Sequence, residues 1–236
     1  MLKFFVTGTG TGIGKTIVTS LLTDFLKNNN RRIFAYKPIQ TGAEKIDGKL
    51  LAPDPEMYKL VGNISKGNKP YTYLLQTPSS PHLAAKNENI DYDLAKIHQD
   101  IKDIQKNNDG IVVEGAGGLY VPITEEGYSM IDFIKELDFP VILVGEAGLG
   151  TINHTVLSIK ALEAYKIPII GVILNGTGKE DRSLELDNVK MIEQLTNVPV
   201  VGTVPFVKNI EYLLPEKEHR IALTKDWNRK IIESGR

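Results

Sequence analysis

Short continuous apolar runs alternate along the chain with segments whose apolar residues recur every three or four positions. The runs are Phe4 to Val6, Arg32 to Tyr36, Ile111 to Val113, Val141 to Val144, Ile169 to Leu174 and Val200 to Val204, each of strand length. The periodic segments carry Ile17, Leu21, Leu22, Phe25 and Leu26, then Leu94, Ile97, Ile101 and Ile104, then Ile152, Val156, Ile159 and Leu162. These predict helices, with another from about Ser183 to Leu195. Asn28, Asn29 and Asn30 are expected to stop the first helix, and Asn107 with Asn108 the second. Runs without polar alternation indicate strands buried on both faces. The expected class is therefore α/β, a mainly parallel central sheet with helices on both faces and right-handed crossovers.

Elsewhere the pattern is weaker. Glu44 to Leu51 reads as a flexible excursion, and Asp54-Pro55-Glu56 as a helix start running through Met57 and Leu60. Gly62 to Asn89 has no clean period and reads as a long connection with short helices.

In such sheets ligands gather beyond the carboxyl ends of the strands. The residues there are Gly8 to Thr16, Lys37, Glu114 to Gly118, Gly148 to Asn153, Asn175 and Pro205. The first stretch, GTGTGIGKT, joins a strand to a helix and ends in Gly-Lys-Thr, the layout of a phosphate-binding loop. The expected fold becomes a three-layer P-loop NTPase-like one. In this scheme Lys15 reaches the β and γ phosphates and the Thr16 hydroxyl holds magnesium. Thr9 stands where the usual spacing puts the first glycine, and Gly8 lies one residue early, so the loop is one residue longer than usual.

Glu114 ends a strand, where a P-loop protein places an acid that binds or orients magnesium. Gly115-Ala116-Gly117-Gly118 then lets backbone approach a ligand closely. An ammonium at Lys37 would face the γ phosphate and its acceptor. Asp54, taken by itself, reads as a helix cap, and His82 and His154 as hydrogen-bonding scaffold. With no nucleophile in view, the chemistry to expect is phosphoryl transfer by positioning and charge stabilisation.

Composition narrows the class. The 236 residues, 42% hydrophobic, suit one large domain covering 1–236. Basic and acidic residues number 28 and 29, so no charge bias draws the chain to nucleic acid or membrane, and small-molecule substrates are favoured. Cysteine is absent, which removes thiolate chemistry and suits a reducing compartment. No apolar run is long enough to span a bilayer, and the start of the chain does not read as a signal peptide. A cytoplasmic protein is expected.

Together VTGTGTGIGKT, YKPIQTG at Tyr36 to Gly42, Pro53-Asp54, SSPHLAA at Ser79 to Ala85, VEGAGGLYVPI at Val113 to Ile123 and LGTINHT at Leu149 to Thr155 make a specific set. Through it the chain, from Phe4 to about Pro215, resembles the dethiobiotin synthetases, ATP-dependent enzymes of biotin synthesis. The resemblance implies a diaminononanoate substrate whose amine takes up CO2. ATP then phosphorylates the carbamate, and the second amine closes the ureido ring. It implies ATP as co-substrate, Mg2+ as cofactor and a homodimer with shared active sites.

By the same resemblance, Thr16, Asp54 and Glu114 bind magnesium, while Lys15 and Lys37 neutralise the transferring phosphoryl group and the carbamate. Thr11, Gly12, Ile13, Gly14, Lys15, Thr16 and Ile17 contact ATP, with Asp54, Glu114, Gly115, Ala116 and Gly117. Asn175, Val204, Pro205 and Phe206 hold the adenine. Thr41 and Gly118 meet the reacting end of the substrate. Leu149, Gly150, Thr151 and Asn153 reach the far carboxylate of a substrate bound in the neighbouring subunit. A helix N-terminus suits a carboxylate, although Thr151 and Asn153 also fit an ordinary helix start that they cap. Gly10 and Gly12 depart from the acidic residues that many members carry, which bears on nucleotide selectivity and loop rigidity. The tail beyond Pro215, with Trp227, lies outside the resemblance. Two rivals are a regulatory ATPase switch, of a different class, and a cobyrinate-type amide ligase of the same fold. The second should carry a glutamine-hydrolysing domain with a cysteine nucleophile, and this chain has no cysteine.

Overall fold

The computed structural model describes residues 1–27, 30–62 and 69–235. The chain begins with β1 (Leu2–Gly8), α1 (Lys15–Leu26), β2 (Ile33–Tyr36) and β3 (Ile39–Gln40). A hairpin of β4 (Glu44–Ile46) and β5 (Lys49–Leu51) leads to α2 (Pro53–Leu60), β6 (Tyr73–Leu74), α3 (Pro81–Glu88) and α4 (Leu94–Asn107). Then come β7 (Gly110–Glu114), α5 (Met130–Leu137), β8 (Val141–Glu146), α6 (Thr151–Ala164), β9 (Ile169–Thr177), α7 (Arg182–Thr196) and β10 (Val200–Pro205). A 3-10 turn at Ile210–Tyr212 precedes α8 (Lys217–Leu223) and α9 (Arg229–Ser234).

All six long apolar runs pair in parallel, in the order β10-β9-β8-β1-β7-β2. Their continuous hydrophobicity follows from burial on both faces. Phe5, Ile111, Val113 and Leu143 point into a core with Ile97 and Ile101 of α4, Phe133 of α5, Ile159 of α6 and Ile192 of α7. Phe4, Val6, Val112 and Ile142 point the other way, onto Leu21 and Leu22 of α1 and Ile232 of α9. The three layers expected from the sequence are present.

The register sets the site. Tyr36 pairs with Val113, so the next residues, Lys37 and Glu114, emerge side by side. Val6 pairs with Glu114, so β1 runs two residues further and lifts the glycine loop above that acid.

Several elements depart from the sequence reading. Asn28 and Asn29 lie outside the described residues; α1 ends at Leu26 with Lys27 as its C-cap. Glu44 to Leu51 forms an antiparallel hairpin, because Asp47 (φ 49°) and Gly48 (φ 78°) supply the two left-handed positions of a tight turn. Helix α5 was not anticipated. The Asp132 carboxylate accepts the Ser129 N–H at 2.9 Å, a capping box whose Ser-x-x-Asp spacing is visible in the sequence.

The tail is part of the core. Trp227 is buried, donates from Nε1 to the Thr203 carbonyl at 3.0 Å and packs 5.2 Å from the Phe25 ring. Gly202 makes room for it, since a Cβ there would lie 2.4 Å from Trp227 Cδ1. Gly202→Ala is therefore expected to destabilise the fold by about 1–3 kcal/mol, the range for overpacking a filled core. Urea unfolding followed by fluorescence of Trp227 checks this, and an unchanged midpoint would contradict the packing.

Candidate active site

The glycine loop leaves β1 at Gly8 and enters α1 at Lys15. Gly14, the N-cap, has φ 91°, and a Cβ on it would come 2.0 Å from Asn175 Nδ2, so both backbone and space require glycine. Asn175 Nδ2 in turn donates to the Ile13 carbonyl at 3.0 Å, tying the end of the loop to β9. Lys15 is buried and donates to the Gly10 carbonyl at 2.6 Å, inside the loop it serves. Burial, partly offset by the Glu114 carboxylate, lowers its pKa to about 8. The second glycine stretch lies against the first: a Cβ on Gly118 would meet the Gly8 carbonyl at 3.5 Å.

Below the loop, Glu114 is 1% exposed, and its two oxygens are differently engaged. Oε1 accepts from Thr16 Oγ1 and from Lys37 Nζ, both at 2.9 Å. Oε2 accepts from the Tyr58 hydroxyl at 2.5 Å. Lys37 Nζ also pairs with Asp54, which α2 presents from its first turn. Burial opposes charge on Lys37, but the adjacent Glu114 and Asp54 carboxylates outweigh it and hold the ammonium above the ordinary lysine pKa. Burial, reinforced by the Glu114 charge, holds the Tyr58 hydroxyl well above the usual tyrosine value, so it remains a donor.

The donors around this point are one hydroxyl and two carboxylates, with Lys37 already serving as the cation between the acids. Hard oxygen donors of this kind fit magnesium.

A domain model described as an AAA domain matches residues 3–212. The ATP-dependent dethiobiotin synthetase of Halalkalibacterium halodurans is 44% identical over 228 residues, 97% of this chain and 94% of the relative. That of Anoxybacillus flavithermus is 39% identical over 231 residues, 96% of this chain and 99% of the relative. The chain belongs to the ATP-dependent dethiobiotin synthetase family.

Among solved structures, the septum site-determining protein MinD of Pyrococcus horikoshii, complexed with Mg-ADP, superposes with a TM-score of 0.56 at 18% identity. That match covers 99% of this chain and 94% of MinD. A ParA family ATPase of Chlorobium tepidum gives 0.55 at 14%, covering 99% and 97%. At such identities these structures share the P-loop NTPase-like fold with the dethiobiotin synthetase family, and no more.

Of the residues read from the sequence, Thr16, Lys37, Asp54 and Glu114 meet in one cluster, with Lys15 in the loop above. Gly12, Ile13, Ile17, Asn175, Pro205 and Phe206 line a separate cleft of about 140 Å³ beside the loop. Val204 is buried in the strand beneath. Thr41 follows β3, its carbonyl held by Gln40 Nε2 at 2.7 Å. At the start of α6, Leu149, Gly150 and Asn153 are exposed. Thr151 is buried, its hydroxyl 3.4 Å from that of Thr155, and the N-cap is Gly150, so neither Thr151 nor Asn153 caps the helix.

Sequence reasoning missed Tyr58, although its place four residues after Asp54 puts both on one face of α2. It also missed Lys179, whose ammonium lies 4.3 Å over the Phe206 ring in the cleft. Nothing local in the sequence marks that contact.

The depressed Lys15 pKa has a consequence for stability. Between about pH 8 and the ordinary value of 10.5, the unfolded chain holds a proton on Lys15 that the folded protein has shed. Stability therefore rises with pH across this window as far as Lys15 is concerned. Urea midpoints from pH 8 to 10.5 should climb more steeply in the native protein than in Lys15→Met; parallel profiles would contradict it.

Proposed function

We infer that the protein is an ATP-dependent dethiobiotin synthetase, with residues 1–236 acting as one ligase domain. It joins CO2 to an amine of 7,8-diaminononanoate, phosphorylates the carbamate with ATP and closes the ureido ring, giving dethiobiotin, ADP and phosphate. The observation that carries the reading is the sharing of one Glu114 oxygen by Thr16 and Lys37 directly beneath the glycine loop.

In this reading the ATP phosphates lie along Thr11 to Ile17, with Lys15 beside the β and γ groups and the Gly115-Ala116-Gly117 backbone opposite. Thr16, Asp54 and Glu114 would hold magnesium, which would supply charge neutralisation to the phosphates. Lys37 turns from its two carboxylates toward the oxygens of the γ-phosphoryl group and the carbamate. A carbamate oxygen attacks the γ phosphorus and the bond to ADP breaks. The second amine then attacks the carbonyl carbon and loses its proton, and phosphate departs. No side chain forms a covalent intermediate; the residues position and stabilise charge. Thr41 and Gly118 bound the reacting end. Asn175, Val204, Pro205 and Phe206 take the adenine.

The far carboxylate of the substrate is held by Leu149, Gly150, Thr151 and Asn153 of a second subunit, in a homodimer with shared sites. Support comes from α6 itself. Leu149, just before the helix, is 92% exposed, and the helix start lacks a side-chain cap.

ADP release with and without diaminononanoate and bicarbonate separates this enzyme from an ATPase switch. The synthetase reading expects release to rise at least about tenfold when both are present, because binding energy from the true substrate is expressed in the transition state. Release that ignores the diamine would refute it. Lys37→Ala is expected to keep nucleotide affinity nearly intact while lowering turnover roughly 10²- to 10³-fold, as for other transition-state charge stabilisers. Full activity in that variant would remove Lys37 from the mechanism. Asn153→Ala is expected to weaken diaminononanoate binding with little effect on ATP. Mixing it with Lys37→Ala under verified subunit exchange should restore some activity, and no recovery would confine the site to one chain.

A further inference from the structure

Glu114 is read above as an acid that faces magnesium, yet a carboxylate has two equivalent oxygens and can turn about its last bond. In this protein it is held in one setting by three donors from separate elements. Thr16 on α1 and Lys37 after β2 take Oε1, and Tyr58 on α2 takes Oε2. Two of those donors have duties toward the nucleotide in the proposed mechanism. Tyr58 has none, and its side chain is fully buried.

Tyr58 is delivered by the helix that also delivers Asp54. The two residues are four apart on α2, so they share a face, and one turn of helix sets both the second carboxylate and the phenol against the same cluster. Without the phenol, Glu114 Oε2 would be a sealed acceptor with no other partner among the described residues. The group would then gain by rotating to offer both oxygens to Lys37. That rotation would draw the ammonium and the carboxylate together and close the cation position between Glu114 and Asp54.

We propose that Tyr58 is a positioning residue of the synthetase, whose hydroxyl occupies Glu114 Oε2 so that Oε1 alone faces the cation site. The role is exerted through Glu114 and not through contact with any substrate. Partners of metal-ligating groups act in this way generally, and their loss weakens metal binding without altering the ligand set. The inference rests on the reading of Glu114 as the magnesium-facing acid, and the test below separates the two.

The experiment is isothermal titration of the full-length protein with ADP, in EDTA and in saturating magnesium, for the native chain, Tyr58→Phe, Glu114→Gln and the double variant. Tyr58→Phe should bind ADP in EDTA as the native protein does, which also verifies its fold, while the gain in affinity on adding magnesium falls roughly tenfold. In the Glu114→Gln background the same change should have no further effect, because Tyr58 acts only through that carboxylate. If Glu114→Gln leaves the magnesium gain intact, the reading of Glu114 fails and this inference with it. If Glu114→Gln lowers the gain but Tyr58→Phe leaves it unchanged or raises it, this inference alone is overturned. An equal loss from Tyr58→Phe with and without Glu114 would mean a packing effect, and would overturn it as well. Should Tyr58→Phe fail to bind ADP at all, Tyr58→Gln and Tyr58→Leu give the same comparison. The amide retains a donor and should keep more of the magnesium gain than leucine; equal gains would count against the proposal.

Discussion

The active region depends on the burial of one negative charge. A carboxylate removed from water is tolerated only when paired and fully hydrogen-bonded, and Glu114 meets that condition through Thr16, Lys37 and Tyr58. Each donor comes from a different part of the chain, so satisfying the acid fixes the glycine-loop helix, the end of β2 and helix α2 relative to one another. Removing Tyr58 would leave Oε2 a sealed acceptor, a loss of about 1–3 kcal/mol, and removing Lys37 would leave an unbalanced charge, which costs more, whereas Oε1 without Thr16 still has Lys37. The same arrangement readies the site for ligand. Two acids and one ammonium sit beneath a loop built to receive phosphates, and Lys37 there serves as cation to both acids.

The sheet makes this possible at little local expense. Parallel strands bring their carboxyl ends to one edge, and their staggered register sets Glu114 two residues below the end of β1 and beside Lys37. Side chains far apart in sequence become neighbours without unusual backbone at the acid itself. In the loop, Gly14 in the left-handed region leaves the space through which Asn175 reaches the Ile13 carbonyl.

Legibility in the sequence followed the range of the determining interaction. The six strands, the main helices and the loop were readable because burial on two faces and helical periodicity leave local marks. Strand-end residues could be gathered as one site because topology alone brings them together. Asp54 was legible only through the family resemblance, since its partner Lys37 lies on another element and an aspartate before Pro-Glu looks like a cap. Tyr58 and Lys179 went unseen because each matters through a contact across the fold, to Glu114 in one case and to the Phe206 ring in the other. The hairpin at Asp47-Gly48 and helix α5 carried local signals, a left-handed turn pair and a capping box. The hairpin has few apolar residues to mark it, whereas α5 is only eight residues long although Met130, Ile131, Phe133, Ile134 and Leu137 recur at helical spacing.

The proposed mechanism requires Glu114 to remain fixed while Lys37 changes partners. A crystal structure with magnesium and a non-hydrolysable ATP analogue tests this directly. It should show the ion beside Thr16, Asp54 and Glu114, Tyr58 still bonded to Oε2, and the Lys37 ammonium moved onto the γ-phosphate oxygens. Magnesium bound away from Glu114, with Lys37 still pairing both carboxylates, would contradict it.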